Sequence, residues 1–142
     1  MSTEKWYGQT DKDVWQTPSW LYEGIEESLV DGIDLDPCSG EETDIADVNW
    51  SIIDDENGLK KDWFGTVFVN PPFSDKEMWI EKSINEMTNT DCIFLVTPDS
   101  TDVQSWWHSK VVPHASYVWF SEGRIKYINP QTQTEAKSPT FG

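Results

Sequence analysis

Asn70-Pro71-Pro72-Phe73 puts an amide, two prolines and an aromatic ring at consecutive positions. Two successive prolines fix φ at about −65° and together remove two backbone donors, which makes a stiff turn with outward-facing carbonyls. The Asn70 side-chain oxygen beside the Pro71 carbonyl is a pair of acceptors suited to the hydrogens of an NH2 group. Phe73 adds a flat apolar face at the same spot. Together the four residues are a device for gripping a planar aromatic amine. Taken alone they also read as a proline turn with Phe73 tucked into the core, so their surroundings must decide.

Thr66-Val67-Phe68-Val69, just ahead of the turn, is β-branched and aromatic, the pattern of a buried strand. The turn therefore sits at a strand's C-terminal end, where open α/β sheets collect ligands. After it, Ser74 is a candidate N-cap, with Glu77 three residues on, for a helix carrying Met78, Trp79, Ile80, Ile84 and Met87. Cys92-Ile93-Phe94-Leu95-Val96 is a continuous apolar run and predicts a central strand buried on both faces. Strand, helix and strand at this spacing predict a βαβ unit.

Upstream, Ile33-Asp34-Leu35-Asp36 alternates apolar and acidic residues and predicts a short strand, with Pro37-Cys38-Ser39-Gly40 as a sharp turn after it. An acidic residue at a strand end, followed by a small-residue turn with a glycine, suits a nucleoside-bearing cofactor. The backbone approaches the ligand closely, and the carboxylate bonds a hydroxyl or an ammonium. Glu41-Glu42 stand where a second glycine would be expected, which leaves this signal weak by itself. Acidic residues here repel phosphate and favour a cofactor bearing an ammonium or a sulfonium.

Trp20, Leu21, Ile25, Leu29 and Val30 fall on one helical face, with Thr17 as the expected N-cap, Pro18 as the first helical residue and Gly32 as the stop. Residues 41–58 read as a polar connection anchored by Val48, Trp50, Ile52 and Ile53. Asn57-Gly58-Leu59 reads as a turn, and Trp63 returns the chain to the core. Farther on, Trp106, Trp107 and His108 fall on a short helix, and residues 115–120 predict a strand. Residues 122–130 predict a turn into an alternating strand, Arg124 and Lys126 on one side and Ile125 and Tyr127 on the other. Such a strand also reads as a solvated edge.

The 142 residues suit one α/β domain, residues 13–142, preceded by a flexible polar segment, residues 1–12. No run of 18 apolar residues and no leader pattern occurs, so a soluble intracellular protein without a membrane partner is expected. Cys38 and Cys92 lie apart without ligand spacing, which predicts reduced thiols and no metal site. The net charge of −16 opposes contact with phosphates. It is uneven, however: residues 1–102 hold 24 acidic and 6 basic side chains, whereas residues 103–142 hold Glu122 and Glu135 against Lys110, Arg124, Lys126 and Lys137. One end of the chain can thus present a neutral or basic face.

Six landmarks then fall in a fixed order. They are Trp15-Gln16-Thr17-Pro18, Asp34-Leu35-Asp36-Pro37-Cys38, Asn57-Gly58-Leu59 with Trp63, Asn70-Pro71-Pro72-Phe73, Thr97-Pro98-Asp99-Ser100-Thr101 with Trp107-His108, and Gly123-Arg124-Ile125-Lys126-Tyr127-Ile128-Asn129-Pro130. From about residue 13 onward the chain resembles the phage-type DNA N-6-adenine methyltransferases, the Dam-like family. The resemblance implies a minimal Rossmann-like domain that uses S-adenosyl-L-methionine, with a mixed sheet and helices on both faces. It implies that Asn70 and the Pro71 carbonyl, braced by Pro72, grip the amino group of a flipped adenine in DNA while Phe73 stacks on its ring. Asp36 would take the cofactor's amino-acid end, with Thr17, Pro18, Pro37, Cys38, Gly40 and Asn57 lining the pocket. Lys76, Lys110, Arg124 and Lys126 would meet the nucleic acid.

A phage or prophage origin and a host-cytoplasmic location also follow from the resemblance. Relatives continue past the equivalent of Phe141-Gly142 with a closing apolar strand, so the expectation is a truncated chain or an open sheet edge. Two other readings stay open. One is N-methylation of another planar amine, a cytosine or a glutamine side chain. The other is a catalytically silent acidic binding or DNA-mimic protein of the same fold.

Overall fold

The computed structural model describes residues 16–39, 44–51, 57–72, 75–97, 102–122, 125, 127 and 128. Within them the chain runs α1 (Ser19–Ser28), β1 (Leu35–Ser39), β2 (Val48–Ser51), β3 (Thr66–Val69), α2 (Lys76–Asn85) and β4 (Cys92–Leu95). A π-helix, Gln104–Val111, follows and runs into a helical turn, Val112–His114. The four strands are all parallel and lie in the order β2-β1-β3-β4. A pair of backbone bonds between Gln16 and Ile128 adds an antiparallel bridge outside these strands. Among the described residues no helix is long and apolar enough to cross a membrane.

β3 is central, and successive side chains along it point to opposite faces of the sheet. Phe68 packs with Leu21 of α1, Ile33, Ile125 and Tyr127. Val67 and Val69 pack on the other face with Trp63 and with Trp79 of α2. A strand covered on both faces can be apolar throughout, and that is why this run does not alternate. Helices therefore cover both faces, as expected, whereas the described strands are all parallel where a mixed sheet is expected. Ile80, also on α2, meets Trp106 and Trp107 of the π-helix.

Several local expectations are corrected. β4 is an edge strand among the described residues and only half-buried, because no described strand pairs on its far side. Pro37, Cys38 and Ser39 belong to β1 rather than to a turn. Pro37 is tolerated there because β1 carries a bulge: Asp36 pairs with Asn49 and Ser39 with Ser51, so one extra residue of β1 escapes the ladder. Residues 48–51, read as connection, form the strand β2.

Pro18 is the residue before α1, with ψ of 139°, and no side chain caps that helix. Thr17 is thus not its N-cap, and Pro18 is not its first residue. The helix ends at Ser28, ahead of Gly32, whose φ is +99°. Trp20, Leu29, Met78 and Met87 are exposed rather than core. Residues 115–120 form no strand despite their β propensity; Tyr117, Val118, Trp119 and Phe120 are exposed. Ser74 lies outside the described residues, and Asp75 is the residue preceding α2.

The turn 57–60 forms as expected. Asn57 accepts from the Leu59 N–H through its side chain at 3.0 Å and from Lys60 through its carbonyl. The Trp63 indole N–H donates to the Gly58 carbonyl at 2.8 Å and pins this turn to the core. A Cβ on Gly58 would stand 2.1 Å from the Pro37 carbonyl oxygen. Gly58→Ala must therefore push the turn off the bulge of β1. It is expected to lower the unfolding free energy in urea by roughly 2 kcal/mol or more, with an unchanged m-value.

Candidate active site

The chain leaves β1 on one side to form β2 and returns on the other to form β3. The C-terminal ends of β1 and β3 therefore lie side by side at the point where the strand order reverses, the crevice in which open α/β sheets bind ligands. β1 brings Asp36, Pro37 and Cys38 to this edge, and β3 brings Asn70.

The two residues after Asn70, Pro71 and Pro72, have no N–H to offer it. It is held from outside. Its side-chain NH2 donates to the Thr17 hydroxyl at 2.8 Å. Its side-chain oxygen accepts from the Tyr127 phenol at 3.3 Å, and its carbonyl accepts from the Cys38 thiol at 3.3 Å. The Pro72 carbonyl accepts from the Asp75 N–H at 3.1 Å, and Pro72 is fully buried. The turn's carbonyls are thus not all outward and free. Among the described residues, that of Pro71 alone of the three takes no partner.

Asp36 is buried and accepts from the Cys38 N–H at 3.2 Å. Burial pushes its carboxyl up to about 7, against the pull of that bond. Burial, then the neighbouring Asp36 carboxylate, push the Cys38 thiol well above its usual range, so Cys38 stays a thiol and donates. Both cysteines are free. Burial also pushes the Tyr127 phenol up to about 12, so it keeps its proton near neutral pH.

The structure thus brings Thr17, Asp36, Cys38 and Asn70 into one bonded group, with Pro18 and Pro37 adjoining them in the chain. Asn57 spends its side-chain oxygen on its own turn. Phe73, Gly40, Arg124 and Lys126 lie outside the described residues. Lys76 opens α2 just after the turn. Lys110 forms an ion pair with Glu81 of α2, which offsets its charge on the protein itself. Tyr127 is not among the expected site residues. The alternation of residues 125–127 sets it on the side away from Arg124 and Lys126, but nothing in that pattern names a partner 57 residues away.

The family profile of DNA N-6-adenine-methyltransferase (Dam) matches residues 6–141. The chain belongs to this family. It is similar to the DNA N-6-adenine-methyltransferase of Haemophilus phage HP1, 28% identical over 138 residues, which covers 95% of this chain and 78% of that one. It is similar also to the DNA N-6-adenine-methyltransferase of Escherichia phage T1, 25% identical over 138 residues, which covers 85% of this chain and 56% of that one. No solved structure matches. Membership makes the chain an enzyme of the methyltransferase class, with relatives among phage proteins.

The folded protein binds the Asp36 proton more tightly than the unfolded chain, whose carboxyl titrates near 3.8. That contribution to stability is complete below about pH 4 and is lost as the pH rises through about 7. Asp36→Asn carries no charge at any pH. In urea titrations it is expected to gain on the wild type by roughly 2–4 kcal/mol between about pH 4 and pH 8. A difference that does not vary with pH would show that Asp36 is not a desolvated carboxyl.

Proposed function

We propose that this protein transfers the methyl group of S-adenosyl-L-methionine to the exocyclic amino group of adenine in DNA, as a minimal Rossmann-like methyltransferase. The observation that carries the reading is the junction of Asp36 and Asn70 through Cys38 at the reversal point of the sheet, in a chain of this family. A buried carboxyl with one N–H bond calls for a cation to stay ionised. The ammonium of the methyl donor's amino-acid end meets that need, so the residues present fit the group. When bound, the donor supplies an electrophilic sulfonium methyl.

On the substrate side, Asn70 and the Pro71 carbonyl accept the two amino hydrogens. Adenine's amino lone pair is delocalised into the ring; drawing on both N–H bonds turns the nitrogen toward sp³ and frees the pair for attack. With the donor bound, its sulfonium would supply the methyl group to this nitrogen, the C–S electron pair staying with sulfur, while Asn70 and the Pro71 carbonyl would hold the nitrogen in place for the transfer. The methylated nitrogen then sheds a proton to water. A neutral amide at position 70 takes no proton, so catalysis rests on positioning and on electrostatics. A paired adenine is out of reach and must be extruded, and stacking on Phe73 partly offsets that cost. Lys76, Arg124, Lys126 and Lys110 are the proposed backbone contacts, and Thr17, Pro18, Pro37 and Gly40 the proposed pocket lining.

Calorimetry with S-adenosyl-L-methionine tests the donor: no binding heat at millimolar concentration would sink this part of the reading. Mass analysis of nucleosides from treated DNA is expected to show N6-methyldeoxyadenosine; methylcytosine instead would sink the adenine assignment. Asn70→Ala is expected to cut methyl transfer by roughly 100-fold or more while donor affinity stays within about threefold. Loss of both would make Asn70 structural.

A further inference from the structure

We infer that Tyr127 is a positioning residue which, with Thr17, fixes the direction in which the Asn70 amide faces and so selects a base that offers an amino group over one that offers a carbonyl. The inference rests on the reading of Asn70 just given. A side-chain amide has nearly the same shape in two orientations half a turn apart, one presenting oxygen and the other NH2 at a given point. Its neighbours choose between them.

A phenol is a stronger hydrogen-bond donor than an aliphatic hydroxyl and a poorer acceptor. It therefore takes the amide oxygen, and the amide NH2 falls to the hydroxyl. That is the arrangement here: the Tyr127 phenol donates to Asn70 Oδ1 at 3.3 Å, and Asn70 Nδ2 donates to Thr17 Oγ1 at 2.8 Å. The backbone sets the two partners in place. Gln16 and Ile128, next to Thr17 and Tyr127 in the chain, exchange N–H···O bonds of 2.8 and 2.9 Å. Tyr127 is also buried among Leu21, Ile33 and Phe68, which stops it from swinging away.

An amide oxygen has two lone pairs, and Tyr127 uses one. Among the described residues nothing takes the other, which is available to a donor. An exocyclic amino group supplies that donor; the oxygen of a keto base would set acceptor against acceptor. With the amide reversed the preference reverses, and the amino group would face NH2.

Tyr127→Phe deletes only the phenol oxygen and tests this. The expected result is a fall in kcat of about tenfold, with KM for DNA and donor affinity changed less than about twofold and the thermal midpoint held. In the Asn70→Ala background the same substitution is expected to leave the residual single-turnover rate unchanged, since Tyr127 acts through Asn70. A second readout needs no activity. The Asn70 side-chain NH2 resonances, identified by their loss in Asn70→Ala, are expected to shift in both Tyr127→Phe and Thr17→Val.

Unmoved resonances in both variants, or an unchanged kcat for Tyr127→Phe, would overturn the inference. If the wild type methylates no DNA, the proposed function fails by itself, while the resonances still decide whether Tyr127 orients the amide.

Discussion

The three bonds to Asn70 are the constraint on which the rest of the site depends. A turn with two consecutive prolines gives up the backbone donors that anchor most turns, so it must be fastened by groups from elsewhere. Those groups lie 32, 53 and 57 residues away in sequence, at Cys38, Thr17 and Tyr127. Local structure around residue 70 therefore cannot build the site; the sheet and the bridge between Gln16 and Ile128 must both be in place first. Conversely, once they are in place, Asn70 has little freedom left to lose on binding, which is the meaning of preorganisation for a site that works by position.

The bulge in β1 is the second requirement, and it follows from Pro37. A proline inside a strand with neighbours on both sides would leave one rung of the ladder without its donor. The extra residue between Asp36 and Ser39 takes Pro37 out of that rung and bends the strand end. Gly58 then packs against the Pro37 carbonyl at a distance that only a residue without a Cβ allows, and Trp63 fastens that turn from below. The Asp36 carboxyl and the Cys38 thiol are in this way presented together from a rigid strand end.

What could be read from the sequence was what depends on neighbours in the chain. β3, α2 and β4 follow from local apolar runs, and the Asn57 turn follows from an Asn-Gly pair whose side chain bonds its own backbone. That Ile125 and Tyr127 share one side, which the structure buries, follows from alternation. The errors arise where one local pattern serves two long-range outcomes. Thr17 before Pro18 looks the same whether its hydroxyl caps a helix or receives an amide from another strand. Pro37 reads as a turn unless a bulge is known to be there. β2 is short and half-exposed at a sheet edge, so it lacks the apolar signal that marked β3. Cys92–Leu95 is apolar enough for the centre yet lies at the edge of the described strands, because position in a sheet depends on crossover order rather than on composition.

An amide rather than a carboxylate stands at position 70, and its partners suit it. Cys38 bonds the Asp36 carboxyl through its N–H and the backbone carbonyl of Asn70 through its thiol, so the ends of β1 and β3 are tied together at this point. The Asn70 side chain turns instead to Thr17, which accepts from its NH2, and to Tyr127, which donates to its oxygen. An amide serves as donor and acceptor at once; an ionised carboxylate, an acceptor only, cannot. Position 70 is left to act through shape and hydrogen bonding, which is why the orientation imposed by Tyr127 and Thr17 matters more there than any proton affinity.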